Sequence, residues 1–151
     1  MLIGIDPHLS APMLSVFRDM GHGDQICIAD CNFPAGETAR KAGIPVIRVN
    51  LDTVEIGRAI LSVFPLDSYV PAPVDRMEIE GAPDTLNEAH SSFKAMVAEV
   101  AGERFAMGST YRFDFYPKAA QCAAIIWTLD RRPYANFILQ KGVIGADGQV
   151  I

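Results

Sequence analysis

Four consecutive apolar residues, Ile26-Cys27-Ile28-Ala29, stand between Asp24-Gln25 on one side and Asp30 on the other. A short, uninterrupted apolar run bounded by polar residues reads as a strand buried on both faces. Such a strand needs packed partners above and below the sheet, which places the chain among layered α/β domains. The carboxylate that follows it falls at the carboxyl end of the strand, where open α/β sheets gather ligands.

Alternating patterns on either side extend this reading. Ser10 sits where a helix from Ala11 needs a cap, Pro12 is tolerated in the first turn, and Met13, Val16, Phe17 and Met20 recur at helical spacing. Gly21 is expected to stop that helix and leave His22 in a helix-to-strand loop. After a loop at 32–36 the pattern predicts a short helix over Glu37–Ala42 closed by Gly43, and a strand over Pro45–Val49. A helix from Asp52 follows, with Val54, Ile60, Leu61 and Phe64 inward and Gly57 on the same face. Leu66 to Val70 and the prolines beyond lead into another extended segment. Thr85–Val100 reads as an amphipathic helix and Arg104–Met107 as a strand. A short helix at Tyr116–Ala120 runs on into Ala123–Thr128, and Phe137-Ile138-Leu139 is the last core strand.

The 151 residues fit one domain spanning 1–151, of a size that buries roughly 70% of its unfolded surface without staples. Hydrophobic residues make up 50% and charged residues 21%, which excludes a disordered chain. The net charge of -5 argues against a nucleic acid or an anionic membrane as partner. No apolar run approaches the ~20 residues of a membrane span, and the first residues carry no leader-like basic and apolar regions, so a cytoplasmic location is expected. Cys27, Cys31 and Cys122 are odd in number. An extended chain from Cys27 to Cys31 covers ~13 Å, beyond disulfide reach, so reduced thiols are expected.

The chemistry-bearing segments begin with Met20-Gly21-His22-Gly23-Asp24. A histidine between two glycines meets a small ligand without bulky neighbours, and its ordinary pKa lies nearest neutrality. His22 and Asp30 are read together as a small acid/base site, while Asp24 either orients the imidazole or caps a turn. Asp30-Cys31-Asn32 lacks the second carboxylate of aspartyl-nucleophile phosphatases. Walker-type loops, His-Glu-x-x-His and Gly-x-Ser-x-Gly are missing from the sequence, and His8, His22, Asp24 and Cys27 make no recognised metal-ligand spacing. No metal and no cofactor are therefore expected. Tyr111-Arg112-Phe113-Asp114-Phe115-Tyr116 mixes aromatic faces with one cation and one anion, a composition that suits sugars; taken alone it reads as a core strand of alternating aromatics. Tyr134-Ala135-Asn136 adds a phenol and an amide before the last apolar strand.

In order along the chain, these segments resemble the bacterial fucose mutarotase and ribose pyranase family. The resemblance rests on Met-Gly-His-Gly-Asp at 20–24, Asp30 with Phe33-Pro34, Leu66-Asp67-Ser68-Tyr69, Arg112-Phe113 with Phe115-Tyr116, and Tyr134-Ala135-Asn136 leading to Lys141-Gly142-Val143. The Leu-Asp-Ser-Tyr and Arg112 segments are closer to the fucose branch. The resemblance implies a three-layer α/β/α domain with a central, mostly parallel sheet, assembled into a homo-oligomeric ring, commonly a decamer, with sites near subunit contacts. It implies His22 as proton donor and Asp30, Arg112, Tyr134, Ala135 and Asn136 as contacts to a monosaccharide substrate. The segment 34–45 is longer than the family pattern, and 90–110, with Gly108-Ser109-Thr110, departs from it.

The implied chemistry agrees with the missing motifs. Opening a cyclic hemiacetal needs a proton delivered to the ring oxygen and another taken from the anomeric hydroxyl; positioned acid/base groups supply ~10²–10⁴-fold. The competing readings are a sugar-binding or transport-accessory protein without turnover, a ribose pyranase, and a hydrolase with Asp30 as nucleophile.

Overall fold

A computed structural model describes residues 2–151. The buried run forms β1 (Gln25–Ala29) at the centre of a six-stranded sheet, with β2 (Val46–Arg48), β3 (Val74–Met77), β4 (Met107–Thr110), β5 (Ile125–Trp127) and β6 (Phe137–Gln140). The strand order is β2-β5-β1-β6-β3-β4. β6 runs antiparallel to both of its neighbours, β1 and β3, and the other pairings are parallel.

Alternation along these strands builds two cores. Ile26, Ile28, Ile126, Phe137 and Leu139 face one side and Cys27, Ala29, Ile125 and Ile138 the other. The first side is covered by α1 (Ala11–Asp19), α3 (Thr53–Leu61) and α4 (Glu88–Val100), the second by α2 (Ala35–Ala42) and α5 (Arg112–Ala119). The three-layer α/β/α arrangement implied by the family resemblance is thus the one found.

Local signals set the helix ends. Asp52 caps α3 by accepting the N–H groups of Val54 and Glu55, and Glu55 returns a bond to the Asp52 N–H, a reciprocal box. Gly43 closes α2 in the left-handed conformation. Ser10 stands at the start of α1, but its hydroxyl makes no capping bond. Gly21 does not end α1. The helix stops at Asp19, and the Lys141 ammonium binds the Phe17 and Met20 carbonyls at 2.7 and 2.5 Å, a cation placed where the helix dipole is negative.

Four expected elements change. The helix expected from Thr85 begins at Glu88, after the Asn87 cap. The strand expected at Arg104–Met107 lies instead at Met107–Thr110, in register with β3, because Gly102 and the turn to Phe105 occupy the preceding residues. The aromatic stretch at 111–116 is helix α5 rather than a core strand. Its buried residues Phe115 and Ala119 lie four apart, a helical spacing, while Tyr111 and Phe113 are exposed. The helix also ends at Ala119, and Ile125-Ile126-Trp127 pairs with β1 and β2, as β-branched and aromatic residues favour.

Candidate active site

The loop between α1 and β1 delivers His22 to the amino end of β1. Its Nε2 lies 3.0 Å from Asp67 Oδ2; the imidazole is half exposed and the carboxylate only 1% exposed. Asp67 is held from three sides, by the Tyr69 N–H on Oδ1 and by His22 and the Gln140 amide on Oδ2. Burial raises the pKa of this carboxyl, but the bonds from Tyr69, Gln140 and His22 outweigh it and hold the group below the usual carboxylate range. An ionised carboxylate on Nε2 leaves Nδ1 as the nitrogen directed elsewhere, and Tyr69 packs edge-on at 5.6 Å between ring centroids. Asp24 caps the turn, accepting the Gly21 N–H at 2.7 Å; the residue that orients the imidazole is Asp67. Gly23, at φ +87°, is the glycine this loop requires.

Asp30 lies at the other end of the same strand. The expectation that His22 and Asp30 form one site within a chain is therefore corrected: at ~3.3 Å per residue, β1 separates them by roughly 16 Å. Asp30 opens instead into a cavity of about 240 Å³ that gathers Arg112, Tyr134 and Asn136, with Phe33, Met77 and Tyr116 as apolar wall. Phe33 and Tyr116 stand 5.5 Å apart, tilted by 34°. Of the expected contact residues only Ala135 does not line the cavity; its methyl is buried in the core of the opposite face.

Asn136 and Asp30 are locked together. The Asn136 side chain accepts the Asp30 N–H at 2.9 Å and donates to Asp30 Oδ2 at 2.8 Å, while the Asn32 N–H reaches Oδ1. Burial raises the Asp30 pKa, those bonds lower it and nearby Asp130 raises it again, leaving the carboxyl above the ordinary carboxylate value. Arg112 and Tyr116 lie four apart on α5, so both reach the cavity; Arg112 Nε donates to the Tyr116 hydroxyl at 3.2 Å and Nη1 to Glu80 at 2.5 Å. Behind them, buried Asp130 receives Arg132 and Thr53, and its carbonyl accepts the Cys31 N–H, tying the Asp30 loop to the segment before Tyr134.

The sequence motifs contained Asp67 and Tyr116, but nothing in spacing alone assigned them these roles. Asp67 is forty-five residues from His22, and only the pairing of β6 beside β1 brings Gln140 and Asp67 to it. Glu80 carried no signal at all.

An α/β/α sandwich with a polar cavity walled by aromatic rings defines a class of small-molecule-handling proteins. The chain belongs to the RbsD / FucU transport protein family, whose model matches residues 3–144. It is 36% identical over 146 residues to the L-fucose mutarotase of Haemophilus influenzae (strain 86-028NP), covering 95% of this chain and 97% of that one. The fucose mutarotase of Streptococcus pneumoniae, solved in complex with L-fucose, superposes with a TM-score of 0.84 at 30% identity, over 95% of this chain and 100% of that one. Bacillus subtilis RbsD, solved with D-ribose, shares the fold at a TM-score of 0.72 and 21% identity, over 96% and 99% of the two chains.

Proposed function

We propose that this protein is an isomerase that exchanges the anomers of L-fucose or a closely related monosaccharide by opening and reclosing the sugar ring, without a cofactor. The observation that carries the reading is the cavity: one carboxylate, one guanidinium, the phenols of Tyr116 and Tyr134 and the amides of Asn32 and Asn136 converge there beside the Phe33 ring. Ring hydroxyls suit the polar groups and the apolar C–H face of a pyranose suits Phe33 and Tyr116. The names of the relatives, mutarotases at 36% and 30% identity, support the same substrate.

Within this reading Asp30, Arg112, Tyr134 and Asn136 hold hydroxyls, and Asp30 is the cavity's one carboxylate able to take the anomeric proton. His22, oriented by Asp67, delivers a proton to the ring oxygen; rotation of the freed carbonyl and reclosure complete the exchange. Because His22 and Asp30 stand at opposite ends of β1, the acid must come from a second copy. A contact joining the His22 end of one chain to the Asp30 end of the next uses two different patches, and such head-to-tail contacts give a ring where the rotation between copies closes. This supports the homo-oligomer, a ring of ten in the resemblance, with Ala135 contributing backbone rather than side chain. The reading places the protein in the cytoplasm, in keeping with three free cysteines, two of them buried. Among the described residues no helix is long and apolar enough to cross a membrane.

Saturation-transfer NMR tests the reading by comparing anomer exchange of L-fucose, other 6-deoxy sugars and D-ribose with and without protein. Acceleration for L-fucose is expected, and Arg112→Ala or Asp30→Ala is expected to weaken it more than stability. Binding without acceleration leaves the non-catalytic sugar-binding protein as the answer. Mixing His22→Ala and Asp30→Ala subunits under exchange is expected to restore activity that neither has alone; failure of mixtures shown to exchange subunits rejects the shared site.

A further inference from the structure

The cavity loop is gripped from behind by the first turn of α4. Asn87, the cap, accepts the His90 N–H at 2.9 Å through Oδ1 and donates its Nδ2 to the Pro133 carbonyl at 2.7 Å. His90 is fully buried, and its Nδ1 accepts the Asn87 N–H at 3.5 Å, which leaves the ring proton on Nε2. That Nε2–H donates to the Tyr134 carbonyl at 2.9 Å, which also accepts the Asn136 N–H at 2.8 Å. The ring of His90 is fixed edge-on against Phe137. Two residues of one capping box thus hold two consecutive carbonyls of the loop. The residue they frame, Tyr134, has φ +61° and is the only non-glycine with positive φ among the described residues. A non-glycine residue keeps that conformation only where its surroundings impose it.

We propose that Asn87 and His90 are positioning residues which hold Tyr134 in its left-handed conformation, keep its side chain on the cavity, and so set the affinity for sugar. The inference rests on the reading of that cavity as the sugar site. Neither residue lines the cavity, so both act through the loop. Burial and nearby Arg76 favour the neutral imidazole, against the opposing pull of the Tyr134 carbonyl, which suits a ring that must accept on one nitrogen and donate from the other.

Asn87→Asp isolates this role. Aspartate keeps the cap acceptor for the His90 N–H but replaces the donor to Pro133 with an oxygen that repels the carbonyl. The KM for L-fucose is expected to rise roughly five- to tenfold, the loss of one net hydrogen bond, with kcat within twofold and a melting midpoint lowered by no more than about 5 °C. An unchanged KM, or a fall in kcat alone, overturns the assignment. If the wild-type protein exchanges no sugar, the proposed function fails separately, and a crystal structure of Asn87→Asp decides the inference: Tyr134 leaving positive φ supports it, and Tyr134 unmoved rejects it.

Discussion

At the scale of single residues, the pair that matters is His22 and Asp67. The imidazole is open to solvent on one side while its partner is buried and ionised, so the carboxylate fixes which ring nitrogen faces outward. His22→Ala is expected to abolish catalysed exchange while the thermal midpoint stays near wild type, because the ring is half exposed and adds little to the core. Asp67→Asn, which removes the charge but not the shape, is expected to lower kcat by ~10²-fold or less with the sugar KM nearly unchanged, since the residue orients an acid rather than touching sugar. Wild-type turnover in a folded His22→Ala protein would remove His22 from the mechanism. His22 itself was legible from its glycine flanks. Asp67 was not, because Asp24 is the nearer carboxylate in sequence; in the fold Asp24 caps the turn at Gly21, and Gln140 of β6 holds Asp67 against the imidazole.

Acid sensitivity also belongs to single groups. Burial raises the Asp130 pKa, but the bonds from Arg132 and Thr53 more than offset this and hold it at about 2. As pH falls below the ordinary value of 3.8, the unfolded chain takes up this proton before the folded one. The stabilisation is full above 3.8 and is lost as pH approaches 2; Asp67 acts in the same direction and Asp30, held high, against it. The urea midpoint is expected to fall between pH 5 and pH 3, and less steeply in Asp130→Asn. Equal slopes in the two proteins would show that Asp130 is not the group responsible.

At the scale of elements, α3 and α4 cross where Gly57 faces Phe93 and Met96. A Cβ at Gly57 would stand 2.8 Å from both side chains. Met96 can bend away, but Phe93 is stacked on Phe137 at 3.8 Å with an interplanar angle of 7°, so it cannot yield. Gly57→Ala is therefore expected to destabilise the fold by about 1–3 kcal/mol in denaturant titration, despite the better helix propensity of alanine. A stabilised Gly57→Ala protein would mean that the helices separate freely. Sequence placed the glycine on the inner face of its helix; the structure shows that the missing side chain is what lets the two helices meet. In α5 the opposite happened. Alternating aromatics suggested a strand, yet the helix puts Arg112 and Tyr116 on one side and buries Phe115 and Ala119 on another, because cavity and core draw on different residues of one turn.

At the scale of the whole molecule, the two halves of the proposed site lie at opposite ends of β1. Light scattering at micromolar concentration is expected to give a mass near ten times the 16.4 kDa chain, and a monomer that still accelerates anomer exchange would contradict the shared site. The chain by itself determined the layered α/β class, because a strand apolar on both faces needs cover on both. It also determined the helix ends at Asp52 and Gly43, because these depend on neighbours a few positions away; Asp30, Arg112, Tyr134 and Asn136 were named as sugar contacts by the family resemblance rather than by local pattern. What only the tertiary structure decided is which residues meet. Asp67 reaches His22, Asn87 and His90 reach Tyr134, and His22 is kept from Asp30, because strand order and direction, fixed by burial of the whole sheet, bring distant segments side by side and hold the two ends of one strand apart.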